Sequence, residues 1–130
     1  MGQGCLSDLH PLMVGQTGFW GLDFTHSLTT KADVILGLGT RFAEADSSSW
    51  YPGVTFDPEK TTFLQIDIDP AEIGKIVPAD VPLVGDVKQT LPLLTGRIQA
   101  RSHRAWIDEF RACDKIEYEK VIRRAVHPAE

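Results

Sequence analysis

A chain of 130 residues, 42% apolar and 24% charged, carries enough apolar material for one soluble globular domain that needs no disulfide or metal to hold it together. Its 13 Lys and Arg against 18 Asp and Glu leave a net charge of −5, which argues against a nucleic-acid partner and against an anionic membrane surface. Apolar stretches such as residues 34–36 stop far short of the roughly 20 residues that span a bilayer, and the N-terminus has no secretory pattern, so a cytoplasmic protein with no membrane partner is expected.

Residues 1–21 hold five glycines and one proline among short apolar groups, which reads as a loop making tight backbone approaches. A short helix is expected over 25–31. Residues 32–39, Ala-Asp-Val-Ile-Leu-Gly-Leu-Gly, form an apolar run without alternation, the pattern of a strand buried on both faces. Residues 62–69, Thr-Phe-Leu-Gln-Ile-Asp-Ile-Asp, and residues 81–86, Val-Pro-Leu-Val-Gly-Asp, predict a second and a third strand. Residues 41–60 read as a long connection with little helical signal, of the kind that is functional or covered by a partner. Asp69 can cap one helical turn over 70–75, and Asp86 a helix over 87–100 that Pro92 and Gly96 weaken. Ser102 opens a further helix with Trp106, Ile107, Phe110, Cys113 and Val121 on one face and Arg123 and Arg124 near its end.

Strands of this kind build a parallel sheet flanked by helices, an α/β fold, and in such sheets ligands bind at the carboxyl ends of the strands. Those ends carry Gly39-Thr40-Arg41, Asp67-Ile68-Asp69 and Gly85-Asp86. Gly37-Leu38-Gly39-Thr40-Arg41-Phe42 is a broken dinucleotide fingerprint, with Phe42 in place of the third glycine, and a plain glycine turn competes with that reading. Alternation would send the Asp67 and Asp69 carboxylates to one side, as for holding a ribose, while Asp69 and Asp86 also suit helix caps. Cys5 and Cys113 lie too far apart in sequence for a redox or zinc motif, so reduced thiols are expected. His10, His26, His103 and His127 lack metal-ligand spacing and suit solvated or capping roles. Ser47, Ser48 and Ser49 form no nucleophile elbow. Trp20, Trp50 and Trp106 suit a core or an interface.

In order and spacing, residues 15–21 (GQTGFWG), 32–42 (ADVILGLGTRF), 65–75 (QIDIDPAEIGK) and 85–88 (GDVK) resemble the central domain of thiamine-diphosphate-dependent enzymes. The acetolactate synthase group is the nearest part of that family, with sulfoacetaldehyde acetyltransferase and glyoxylate carboligase beside it. The resemblance implies a Rossmann-like parallel sheet, present in part, over residues 1–100. It implies that residues 101–130 form a helix like the linker to a following catalytic domain. It also implies FAD, ADP or no ligand at the central domain, with thiamine diphosphate and magnesium held by flanking domains. Carried over position by position, Gly18, Phe19, Trp20 and Gly21 match the loop along the flavin, and Gly39, Thr40 and Arg41 the turn at its ribityl and phosphates. Asp67, Ile68, Glu72 and Ile73 match the segment around the adenosine, and Gly85 and Asp86 its adenine end.

Two departures stand out. Where acetolactate synthases continue Arg-Phe-Asp-Asp-Arg, this chain reads Arg41-Phe42-Ala43-Glu44-Ala45, without an acid and a base that contact the flavin nucleotide. The resemblance also starts part-way through the family's domain, beyond its first strand and helix, and includes no motif for thiamine diphosphate or magnesium. The chain is therefore expected to be a truncated, nucleotide-binding-type domain of a 2-keto acid decarboxylating and carboligating enzyme, without catalytic residues of its own. An oligomerisation module without ligand, or a stand-alone adenine-nucleotide binder, are the alternatives. An apolar strand over 32–38 left at a sheet edge predicts a homodimer or larger assembly whose contact includes Val34, Leu36 and Trp106.

Overall fold

A computed structural model describes residues 2–119 apart from 3, 8, 48, 50 and 118. The expectations for Ser48, Trp50, Val121, Arg123, Arg124 and His127 lie outside the described residues. In chain order a 3₁₀ turn, Gly18–Trp20, precedes α1 (Asp23–Thr29), β1 (Val34–Leu38), α2 (Glu44–Ser47), β2 (Thr62–Asp67), β3 (Val81–Val84), α3 (Val87–Thr95) and α4 (Arg104–Glu117). The three strands pair in parallel in the order β1-β2-β3, with Ile35 opposite Phe63 and Ile66 opposite Leu83. The fold is the expected α/β arrangement, a small Rossmann-like parallel sheet with helices.

Strand alternation gives the sheet two unlike faces. Ile35, Gly37, Phe63 and Gln65 share one face, by register. On it Phe42, Phe56, Phe63 and Val77 form the core with Ile35 against them, and the three phenylalanine rings meet edge to face at centroid distances of 5.5 to 5.9 Å. Gly37 makes this packing possible. A Cβ there would lie 2.7 Å from Cζ of Phe42, whose own backbone sits at φ 51, in the left-handed region that non-glycine residues avoid.

The opposite face carries Val34, Leu36 and Leu38 of β1, Leu64 and Ile66 of β2, and Val81 and Leu83 of β3. Burial on both faces was the expectation for these apolar runs, and the structure overturns it for the outer strands. Val34, Leu36, Leu38, Val81 and Leu83 are all exposed, and Ile66 is the buried member of the row. The helices pack elsewhere: α1 on α4, through Phe24 and Phe110 with ring centroids 5.5 Å apart, and α2 on the 3₁₀ turn. Lys31 and Glu109 reinforce the α1 end of the first contact with a 2.6 Å ion pair.

Residues 70–75 form turns and not the expected helical turn, and α3 stops at Thr95 with Gly96 as its C-cap, five residues short of the expected end. α4 begins at Arg104, two residues after Ser102. Trp20 and Trp106 are exposed, so neither belongs to a core. Among the described residues no helix is long and apolar enough to cross a membrane.

Candidate functional site

The parallel pairing brings the carboxyl ends of all three strands to one edge. The ladder runs on past the strands, with Gly39 N–H donating to the Ile66 carbonyl at 2.8 Å and Gly85 N–H to the Asp67 carbonyl at 2.8 Å. Gly39, Asp67 and Gly85 therefore stand side by side, as their positions in sequence suggested. Gly39 adopts φ +59, and a Cβ added to it would meet no atom within 4 Å, so open space lies in front of its backbone. That is the condition under which a ligand can come close to a main chain. Thr40 Oγ1 accepts from the Phe42 N–H at 3.2 Å and closes the turn. Arg41 is exposed, with its guanidinium free to face solvent or a ligand.

The second turn at this edge, residues 68–76, is built from short polar side chains. Asp67 Oδ1 accepts from the Asp69 N–H and Asp69 Oδ1 from the Ala71 N–H, each at 2.9 Å, which is the usual way aspartates order a turn. The sequence placed both carboxylates on one side of a strand. β2 ends at Asp67, so alternation ends with it, and each carboxylate turns to the backbone two residues on. Ile68 is exposed and Ile73 half-buried. Glu72 Oε1 accepts from Lys75 Nζ at 3.0 Å, while Glu72 Oε2 is buried and has no hydrogen-bond partner. A carboxylate oxygen shielded from water and unpaired is costly, and among the described residues the buried Thr55 Oγ1 is in the same state.

The two turns are joined through a residue that the sequence reading passed over. Gln65, 1% exposed on the core face of β2, donates from Nε2 to the Thr40 carbonyl at 2.8 Å and to the Glu72 carbonyl at 3.1 Å. Its Oε1 accepts from the Gly74 N–H at 2.8 Å, where Gly74 takes φ +70. A polar residue inside an apolar run was the signal available for it.

The Gly18–Trp20 turn belongs to a neighbouring layer. Gly18 takes φ +82, and a Cβ there would fall on the backbone of Ala45 and Asp46, so glycine is required where the turn meets α2. Thr17 Oγ1 donates to the Asp46 carbonyl at 2.9 Å, and His26 Nε2 lies 3.1 Å from both the N–H and the carbonyl of Gly18. His26 thus anchors this loop, a more specific role than the solvated or capping one expected. Phe19 and Trp20 stand edge to face at 5.1 Å and are 74% and 66% exposed. Gly21 is held close, since a Cβ on it would lie 2.5 Å from the Gln16 carbonyl oxygen. α2, unforeseen in the long connection, links this loop to the turn after β1.

Asp86 caps α3, its Oδ1 accepting from the Lys88 N–H at 2.9 Å, as its sequence context suggested. Residues whose titration is displaced lie away from this edge. Hydrogen bonding to Glu109 holds Lys31 above its ordinary range, and hydrogen bonding to Asp57 does the same for Lys60. A cavity of about 600 Å³ also lies elsewhere, between residues 100–104 and the first turns of α4, with Arg101, Arg104 and Arg111 on its walls. Its lining is largely exposed, and none of the strand-end residues reaches it, so the geometry of the strand ends and not that cavity defines the candidate site. Among the described residues no three His, Cys, Asp or Glu side chains are grouped to hold a metal ion.

Residues 1–94 match the family model described as thiamine pyrophosphate enzyme, central domain. The chain is 33% identical over 119 residues to a probable acetolactate synthase large subunit of Methanocaldococcus jannaschii, covering 89% of this chain and 20% of that protein. It is 40% identical over 91 residues to one of Methanococcus aeolicus, covering 70% of this chain and 14% of that protein. With the sulfoacetaldehyde acetyltransferase of Roseovarius nubinhibens it shares 29% identity over 120 residues, 81% of this chain and 20% of that protein. The chain spans a fifth or less of the length of these relatives.

Proposed function

The chain belongs to the family of thiamine pyrophosphate enzyme central domains, and from that premise we propose that it holds an adenine nucleotide, ADP or the ADP half of FAD, at the carboxyl ends of its parallel strands. The observation that carries this reading is the open backbone of Gly39 in one strand-end turn, tied through Gln65 to the second turn that carries Glu72. The open space at Gly39 admits a phosphate to the main chain, and in this reading the ribose follows it along the turn that carries Glu72. Thr40 and Arg41 then face the phosphates, and Asp67, Ile68, Glu72 and Ile73 the adenosine. In this reading Gly85 and Asp86 lie toward the adenine, and Gly18, Phe19, Trp20 and Gly21 along an attached flavin.

The relatives' names extend the proposal to a larger enzyme that decarboxylates a 2-keto acid and transfers the resulting fragment. In such an enzyme thiamine diphosphate and magnesium, held by other domains, would supply the acyl-anion chemistry. In this reading the chain contributes positioning and the nucleotide, and the reacting centre belongs to flanking domains. Residues 1–100 act as the central unit and 101–130 as the lead to a catalytic domain.

A second reading, an interaction module, draws on the bare sheet face. Five exposed aliphatic side chains in one row across β1 and β3, with β1 at the sheet edge, favour a protein partner, either a second copy or a flanking domain. The two readings are compatible, and ADP titration followed by calorimetry separates them. Saturable binding by the parent chain that weakens at least tenfold in Glu72→Gln supports the nucleotide site. No saturable binding of ADP or FAD overturns it and leaves the interaction module.

A further inference from the structure

We infer that Gln65 is the positioning residue that keeps the two halves of the strand-end site in register, an inference that rests on reading this edge as the nucleotide site. Its side chain is 1% exposed, on the same face of β2 as the aromatic core, where an aliphatic residue would carry no polar cost. Every link it makes goes to backbone outside its own strand. Nε2 donates to Thr40 in the turn after β1 and to Glu72 in the turn after β2, and Oε1 accepts from Gly74. Both carbonyl oxygens lie within 3.1 Å of one nitrogen, so the distance between the two turns is set by a single planar group.

The second turn depends on this link. Among the described residues, the hydrogen bonds of residues 70–76 otherwise close within the turn itself: Glu72 N–H to the Asp69 carbonyl, Ala71 N–H to Asp69 Oδ1, and Lys75 to Glu72. Gln65 thus ties the backbone of Glu72 to that of Thr40, next to the open backbone at Gly39. It touches no space a ligand would fill, and it acts on affinity through the spacing of groups that do.

Two measurements on the full chain test this. In the parent protein, ¹⁵N spectra should show the Gln65 side-chain NH₂ protons protected from solvent exchange and shifted on ADP addition, although the amide is out of ligand reach. Exchange at the rate of a solvated amide would overturn the inference without any variant. The second uses Gln65→Asn, which keeps the amide but is one methylene too short to reach both turns. Its control is Thr61→Val, which removes a buried hydrogen bond, Thr61 Oγ1 to the Ala32 carbonyl at 2.7 Å, just before the opposite end of β2. Measured at a temperature where all three proteins are folded, stability no longer enters the affinity. The expected result is at least tenfold weaker ADP binding by Gln65→Asn and unchanged binding by Thr61→Val. Binding by Gln65→Asn within twofold of the parent, or equal losses in both variants, overturns the positioning role while leaving the nucleotide reading intact. Absence of ADP and FAD binding in the parent overturns the nucleotide reading, and the positioning role with it.

Discussion

Gly39→Ala separates backbone access from fold stability. The residue sits at φ +59, where a side chain costs about 1 kcal/mol relative to glycine. No atom lies within 4 Å of the added Cβ, so no steric penalty joins that cost. A loss of this size lowers the thermal midpoint of a domain of this length by roughly 4 °C. Gly37→Ala, two residues earlier, has the opposite character: its Cβ would sit 2.7 and 2.9 Å from ring atoms of Phe42 and 3.0 Å from Thr40 Cγ2, and overpacking of that kind costs about 1–3 kcal/mol. The open space at Gly39 is what a phosphate needs, so filling it should weaken ADP binding tenfold or more, roughly 1.4 kcal/mol. Thermal denaturation followed by circular dichroism, and calorimetric titration well below the midpoint, measure the two effects separately. Parent-like ADP affinity in Gly39→Ala would refute the placement of ligand against this turn. A larger stability loss than in Gly37→Ala would refute the geometry assigned to both glycines.

Asp86 has a cap role and a proposed ligand role, and two substitutions divide them. Asp86→Ala should cost about 1 kcal/mol of stability through the lost cap on α3, whereas Asp86→Asn should keep the cap and still weaken ADP binding if its charge serves the nucleotide; unchanged affinity in both assigns Asp86 to the cap alone. The bare sheet face predicts a dimer or larger assembly in sedimentation at micromolar concentration, and Leu36→Lys, which puts a charge in the middle of the β1 row, should release monomer; a parent chain that is already monomeric and does not bind an apolar dye contradicts this. With thiamine diphosphate and magnesium added, the isolated chain should release no carbon dioxide from pyruvate, and turnover above background would show catalytic groups that this account does not contain.

Elements governed by local chemistry were legible in the sequence. Three apolar runs ending in Gly or Asp gave three parallel strands whose starts and ends all fall within two residues of those expected, and Asp86 caps α3 as its neighbours imply. Features set by contacts distant in sequence were not. α2 exists where the turn at Gly18 packs on it, and no local signal in residues 41–60 announces that contact. Gln65 looked like a strand residue because its three partners lie 7 to 25 positions away. Phe42 was read as a lost fingerprint glycine, whereas its ring fills the space that Gly37 leaves and closes the core. Apolar composition also failed to tell coverage from exposure. Val34 and Ile35 are equally apolar, yet one is exposed on the bare face and the other packs on the aromatic core.

The nucleotide site itself is tested most directly by mapping ADP onto the chain with amide chemical shifts. Saturable shifts at Gly39, Thr40, Ile68, residues 72–74 and Gly85 are the predicted result, since those residues lie in the strand-end turns proposed to hold the nucleotide. Shifts confined to the arginine-lined cavity at residues 100–111, or none that saturate, would contradict it.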